Sequence, residues 1–187
     1  MESLKSYHVG VAAEACAASL FARAGYDVLV QYGANQPHYD LAVTYKTATA
    51  KISVKGSQDG GWVLVASYKR PDRNYHQAID AWAKAQEDPR TLYCFVQFKG
   101  VAFGGMPRVY LARMSEVVEY LKSSCGGYGY TSVREHYVWA RGKAAGTTDK
   151  IPTSWKTTKE RIAELLGPPE AAQPAVRAGR SAAAAQP

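Results

Sequence analysis

The stretch from Tyr39 to Gly56 constrains the fold most, because it holds two arms that each alternate with period two. In the first arm Tyr39, Leu41, Val43 and Tyr45 share one face, while Asp40, Ala42 and Thr44 share the other. In the second, Ile52 and Val54 take the apolar side, with Lys51, Ser53 and Lys55 opposite. Such a pair predicts an antiparallel hairpin of strands 39–45 and 51–56. A turn near Thr47-Ala48 sets residue 40 against residue 55, and directly opposed residues share a face. Asp40 and Lys55 are therefore expected to meet as a carboxylate and an ammonium.

The neighbouring segments supply the other elements. Residues 7–24 read as an Ala-rich helix stopped by Gly25, followed by a strand from Tyr26 to Gln31. Asp59-Gly60-Gly61 makes a turn into a strand over 62–67. The basic connection Lys69-Arg70-Pro71-Asp72-Arg73 leads to a helix over 74–87, with Ile79, Trp82 and Ala83 inward, closed by Asp88-Pro89. Thr91 to Phe98 is an apolar run of the kind found in strands buried on both faces. After Gly104-Gly105 comes a strand over 108–112, then a short helix from Ser115 with Glu116 in its first turn. Residues 125–130 form a glycine-rich loop without the spacing of a nucleotide-binding motif. Thr157 to Glu160 reads as a capping box opening a last helix that runs to Leu166. From Pro168 the composition turns to Ala and Pro with no core former beyond Val176, which predicts a disordered tail over 168–187. Residues 1–167 are thus expected to form one α/β domain, a mixed sheet flanked by helices.

Composition narrows the chemistry. Three widely spaced cysteines, Cys16, Cys94 and Cys125, suggest neither a disulfide framework nor a zinc site. No apolar run reaches the ~20 residues a membrane span needs, and residues 1–8 lack a secretory-leader pattern. A cytoplasmic protein without membrane association is expected. The net charge of +7 is compatible with a polyanionic partner such as nucleic acid but does not by itself require one.

Glu14 belongs with Asp40 and Lys55. It is the only acid between Glu2 and Asp27, and its helical neighbours Gly10, Val11, Ala17 and Ala18 offer no basic partner. Two readings stand at this point. An acid on a small-residue helix can lie close to a sheet and point at something specific, or it can mark the solvated side of an amphipathic helix.

The segments HVGVAAE on the first helix, HYDLAV on the second strand and KISVK on the third resemble the PD-(D/E)XK nuclease superfamily. The order helix–strand–strand–strand–helix–strand also matches that family, and the resemblance spans roughly residues 5–100. It implies a restriction-endonuclease-like α/β fold with an α-β-β-β-α-β core. It further implies a catalytic set of Glu14, Asp40, Ser53 and Lys55. Mg²⁺ (or Mn²⁺) would then be held by Glu14, Asp40 and the Val54 backbone carbonyl, and the reaction would be phosphodiester hydrolysis. The departure is Ser53, which stands where the family usually carries an acid, so one anionic contact is lost.

Lys51, Lys69, Arg70 and Arg73 are candidates for contacting nucleic-acid phosphates, DNA ahead of RNA, and fold analogy adds a homodimer. For each of the four cations a solvated loop is the competing reading. Trp82 reads as core, Tyr68 and Tyr75 as core or surface, and His38 as a turn residue beside the aspartate strand. Two other functions compete with a nuclease. One is a nucleic-acid-binding module that kept the fold without catalysis, for which Ser53 argues. The other is a protein-interaction domain.

Overall fold

The computed structural model describes residues 5–31 and 39–168; His38 and residues 169–187 of the expected tail lie outside them. Its main sheet has five strands in the order β1 (Asp27–Val30), β2 (Leu41–Tyr45), β3 (Ala48–Ser57), β5 (Leu92–Gln97) and β6 (Arg108–Arg113). The first three strands are antiparallel neighbours, β3 and β5 run parallel, and β6 returns antiparallel to β5. A parallel pair needs a crossover, and α2 (Tyr75–Lys84) supplies it. Asn74 caps that helix, accepting the Gln77 N–H at 2.9 Å while the Gln77 side chain accepts the Asn74 N–H at 2.9 Å.

Helices cover both faces of the sheet. On one, α1 (Ser6–Arg23) packs Ala13, Ala17 and Phe21 against Leu41, Val43, Ile52, Val54, Cys94 and Val96. On the other, Ile79 and Trp82 of α2 and Val117 and Leu121 of α3 (Met114–Ser123) join Tyr93, Phe95 and Trp155. Every residue of β5 is buried, as its unbroken apolar run predicts. The inward row of α1 is Val9, Ala13, Ala17 and Phe21, one residue per turn and mostly small. It lies on β3 at Gly56, where a Cβ would sit 2.7 Å from the Val9 carbonyl oxygen and 2.9 Å from Ala13 Cβ. Only glycine allows that approach.

The hairpin forms with a different register. Pairs run from Leu41↔Ile52 to Tyr45↔Ala48, so Lys46 and Thr47 make a two-residue turn, with Lys46 at φ 51°. This register is displaced from the one that would set residue 40 against residue 55, and it ends at Leu41↔Ile52, with the Asp40 N–H turned to the Ile52 carbonyl. The shift is two residues, an even number, so every side chain keeps its expected face.

Three local expectations also change. The strand expected over 62–67 is only β4 (Gly61–Val63), because the N–H groups of Leu64 and Val65 both turn to the Thr131 carbonyl, each at 3.0 Å. It pairs outside the main sheet with β7 (Ser132–Arg134), while β8 (His136–Val138) pairs with β9 (Thr148–Lys150). The last helix, α4 (Lys159–Leu166), is capped by Thr158, whose hydroxyl accepts the Arg161 N–H at 3.1 Å. The Thr157 hydroxyl caps nothing, being buried without a hydrogen-bond partner among the described residues. Arg161, 6% exposed, ties α4 to α3 through Glu116 (2.6 Å) and to β6 through the Leu111 carbonyl (3.2 Å), and pairs along α4 with Glu164 (2.9 Å). No described helix is long and apolar enough to cross a membrane.

Candidate functional site

Asp40 stands just before β2, level with Ile52 to Val54 of β3, which runs on to Ser57 beside β5. The Asp40 N–H donates to the Ile52 carbonyl at 2.9 Å and its carbonyl accepts the Gln31 N–H at 3.0 Å. One step further β2 has parted from β3, and the Val54 N–H donates instead to Asp40 Oδ2 at 2.6 Å. The carboxylate therefore lies in the gap between the two strands. In an extended strand the N–H and C=O of one residue point to the same side, so the Val54 carbonyl faces this gap too. Lys55 Nζ lies 4.0 Å from the same Oδ2, with the two side chains 39% and 30% exposed. The expected meeting of Asp40 and Lys55 thus occurs, by a diagonal rather than a direct pairing.

Ser53 and Lys55 sit beside Tyr93 and Phe95 in the β3–β5 register, on the face that α2 covers. Ser53 is buried at 6% exposure. Glu14 comes from the opposite face, next to Ala13 on α1, and is half-buried. Burial holds its carboxyl above the ordinary value, Asp40's negative charge adds to the rise, and Lys55 works against it. Its electrostatic neighbours are therefore the two hairpin residues, across the close contact that Gly56 permits. The buried Cys94 thiol, pushed up to about 12 chiefly by burial and then by Cys16 and Asp40, is too inert to act as nucleophile or ligand.

Two carboxylates share one half-exposed ammonium here, an excess of negative charge that suits a hard divalent cation. Asp40, Glu14 and the Val54 carbonyl are all hard oxygen donors, and Mg²⁺ is commonly held by one or two carboxylates plus water and substrate phosphate. Ser53 adds a neutral hydroxyl. Among the described residues no three His, Cys, Asp or Glu side chains gather as a metal-binding group. The donor set is therefore limited to two acids and neutral oxygens.

The four candidate phosphate contacts separate. Lys51 Nζ lies 3.9 Å from Asp88 and over the Tyr39 ring at 5.4 Å, four residues back along β3 from Lys55, or about 13 Å. Lys69 Nζ sits over the Tyr75 ring at 5.4 Å and donates to the Arg70 carbonyl at 3.0 Å. Arg70 is exposed and Arg73 partly so. β3 ends and α2 begins beyond Lys55, so the segment 69–73 follows the Lys55 end of β3, while Lys51 lies back toward the hairpin turn. Trp82 is core, as read from the sequence, and Tyr68 packs against the same cluster. Two clefts lie elsewhere, one of about 430 Å³ at Glu116, Asp149 and Trp155, the other of about 220 Å³ at Val43, Asp88 and Leu165. Neither includes Glu14, Asp40 or Lys55.

Sequence reasoning missed Gly56, although a glycine inside an alternating strand signals a close backbone approach. The chain matches no family model, no curated protein and no solved structure. Fold and site together define a mixed α/β protein, with a five-stranded mixed sheet and an acid–acid–lysine cluster where β2 parts from β3.

Proposed function

We propose that the protein is a metal-dependent nuclease of the PD-(D/E)XK type, acting on DNA, with Mg²⁺ or Mn²⁺ as cofactor. One observation carries the reading: the Asp40 carboxylate is fixed where β2 parts from β3, 4.0 Å from Lys55 Nζ and electrostatically coupled to Glu14 on α1. The element order α1-β1-β2-β3-α2-β5, interrupted only by β4 and a 3₁₀ turn, supports the restriction-endonuclease-like core within this proposal.

Asp40, Glu14 and the Val54 carbonyl are the residues that would hold the cation, and the Ser53 hydroxyl would add a neutral oxygen. A cation bound there would supply Lewis-acid polarisation of the scissile phosphate and a lowered pKa for an attacking water. Lys55, held in place by Asp40, orients that water and stabilises negative charge developing on the phosphate oxygens. Lys69, Arg70 and Arg73, which follow the Lys55 end of β3, hold the backbone of the substrate.

Incubating the protein with plasmid and linear DNA in Mg²⁺ or Mn²⁺ tests this. Cleavage is expected, with loss of cutting in Lys55→Ala and Asp40→Asn. Cutting left intact by either substitution would sink the assignment. Ser53 favours a second reading, because its buried, neutral side chain removes one anionic ligand. On that reading the protein binds nucleic acid in a salt-dependent way and yields no product with any metal.

A further inference from the structure

A group of aromatic and basic side chains beyond the start of α2 shares only Lys69 with the site described above. Tyr75 in the first turn of α2 meets Tyr130 at 5.9 Å between ring centroids. Tyr130 meets Trp139 edge-to-face at 4.8 Å, and Trp139 meets Tyr137 edge-to-face at 4.8 Å. The fold sets this ladder firmly. The 125–130 loop lies on the first turn of α2, where His76 Nε2 bonds the Gly127 carbonyl at 3.0 Å. Gly129, at φ 82°, has room for no side chain, since a Cβ would come within 3.0 Å of Tyr75 Cβ.

Cations alternate with these rings. Lys69 Nζ lies 5.4 Å from the Tyr75 centroid, and the Arg134 guanidinium lies 5.8 Å from Tyr130 and 5.1 Å from Tyr137. Lys143 Nζ lies 5.7 Å from the ring of Tyr128. None of the three cations pairs with a carboxylate among the described residues. The nearby acids are engaged elsewhere. Asp149 is buried and accepts from Trp139 Nε1 at 2.9 Å and from the Cys125 N–H at 3.0 Å, while Glu135 holds Arg108 at 2.6 Å and Tyr110 at 2.7 Å. Arg134 Nε is buried without any hydrogen-bond acceptor. Tyr128 and Tyr137 remain 50% and 40% exposed, enough to receive a flat ligand.

From this alternation we infer that the strip formed by Lys69, Tyr75, Tyr128, Tyr130, Arg134, Tyr137, Trp139 and Lys143 binds single-stranded nucleic acid. Unpaired bases stack on the exposed rings, and the cations take the phosphates between them. A duplex keeps its base faces covered and offers only its phosphates. Unpaired bases therefore make the single strand the better ligand. Binding rests on the strip alone. Delivery of the strand toward Asp40 and Lys55 from Lys69 and Tyr75, which follow the Lys55 end of β3, rests on the nuclease reading.

Fluorescence anisotropy of the full chain with a labelled single-stranded oligonucleotide in EDTA reads binding without cleavage. The single strand is expected to bind more tightly than the matching duplex. Its affinity should fall with salt at a logarithmic slope of about −2 for three phosphate contacts. Tyr128→Ala and Tyr137→Ala should each weaken binding about fivefold to hundredfold, with Tyr137→Phe restoring it, because stacking needs the ring and not the hydroxyl. Both rings are exposed, so far-UV circular dichroism of the variants should match the parent. Wild-type affinity in the double alanine variant, or a preference for duplex, overturns the inference. Absence of cleavage by the unmodified protein in Mg²⁺ or Mn²⁺, with single-strand binding intact, counts against the nuclease reading only. Cleavage of duplex with no binding of single strands counts against the strip only.

Discussion

Gly56→Ala is the sharpest probe of the architecture. The added Cβ would stand 2.7 Å from the Val9 carbonyl oxygen, 2.9 Å from Ala13 Cβ and 3.0 Å from Val9 Cγ1. Carbon–oxygen contacts normally begin near ~3.3 Å and carbon–carbon contacts near ~3.5 Å, so the shortfall is roughly 0.6 Å. The obstacle is helix backbone, which cannot swing aside as a flexible side chain can, so α1 has to move away from β3. Overpacking of this kind costs about 1–3 kcal/mol. Replacing glycine inside a strand returns about 0.5–1 kcal/mol of chain entropy. The net loss is at most about 2.5 kcal/mol and centres near about 1 kcal/mol, and at ~2–4 °C per kcal/mol for a chain of this size the melting temperature falls by about 2–4 °C at the centre of that range and by up to about 10 °C. Glu14 travels with the helix, and a ~1 Å displacement of a catalytic group can cost about 100-fold in rate. Thermal melts in EDTA and cleavage rates in Mg²⁺ measure the two effects separately. A variant that melts and cuts like the parent would refute the close approach of α1 and with it the placement of Glu14.

The remaining predictions concern charge and pairing. Asp40→Asn keeps an oxygen for the Val54 N–H whereas Asp40→Ala does not, so the alanine variant should be less stable than the asparagine variant by about 1 kcal/mol in urea titrations; equal stabilities would show that Asp40 does not hold the strand end. The Glu14 carboxyl titrates above its ordinary value in the folded protein, which therefore binds protons more tightly than the unfolded chain and loses stability as pH rises through that value. In EDTA, Glu14→Gln should accordingly melt higher than the parent at neutral pH and no higher below pH ~4, and a variant that melts lower at neutral pH contradicts the electrostatic placement. Arg161→Ala removes a buried guanidinium but leaves Glu116 and Glu164 partly exposed and still bonded to Arg113, so chemical denaturation should show a loss of about 1–3 kcal/mol, against well under 1 kcal/mol if the network is merely a surface one. Ser53→Glu restores the missing acid, so calorimetric titration of the DNA-free protein should show at least tenfold tighter Mn²⁺ binding than the parent; unchanged affinity would place Ser53 outside the metal's reach.

How far the sequence could be read depended on which physical rule governed each element. The hairpin faces were legible because alternation survives any even slip in register, and the slip that occurred was two residues. The turn was not legible, since Lys46 and Thr47 carry none of the Gly, Asn or Asp chemistry that marks a two-residue loop. Strands β7, β8 and β9 are three residues each, too short for a period to register. The aromatic strip depends on loop 125–130 meeting α2, a contact between distant segments that no local pattern announces. Glu14 stood out as a lone acid on an alanine-rich helix, yet its approach to the hairpin depends on Gly56, a residue that only the packing brings forward. Ser53 was visible from the start as a departure, and its meaning follows from charge. Glu14, Asp40 and Lys55 sum to one negative charge, so a divalent ion alone leaves the cluster at one positive, and an incoming phosphodiester restores neutrality. With an acid in place of Ser53, the ion alone would reach neutrality and would bind before substrate. On the nuclease reading, serine at this position would therefore couple retention of the ion to arrival of the phosphate: weak metal affinity in the free protein and tighter affinity with DNA bound are the two outcomes expected from the same missing charge.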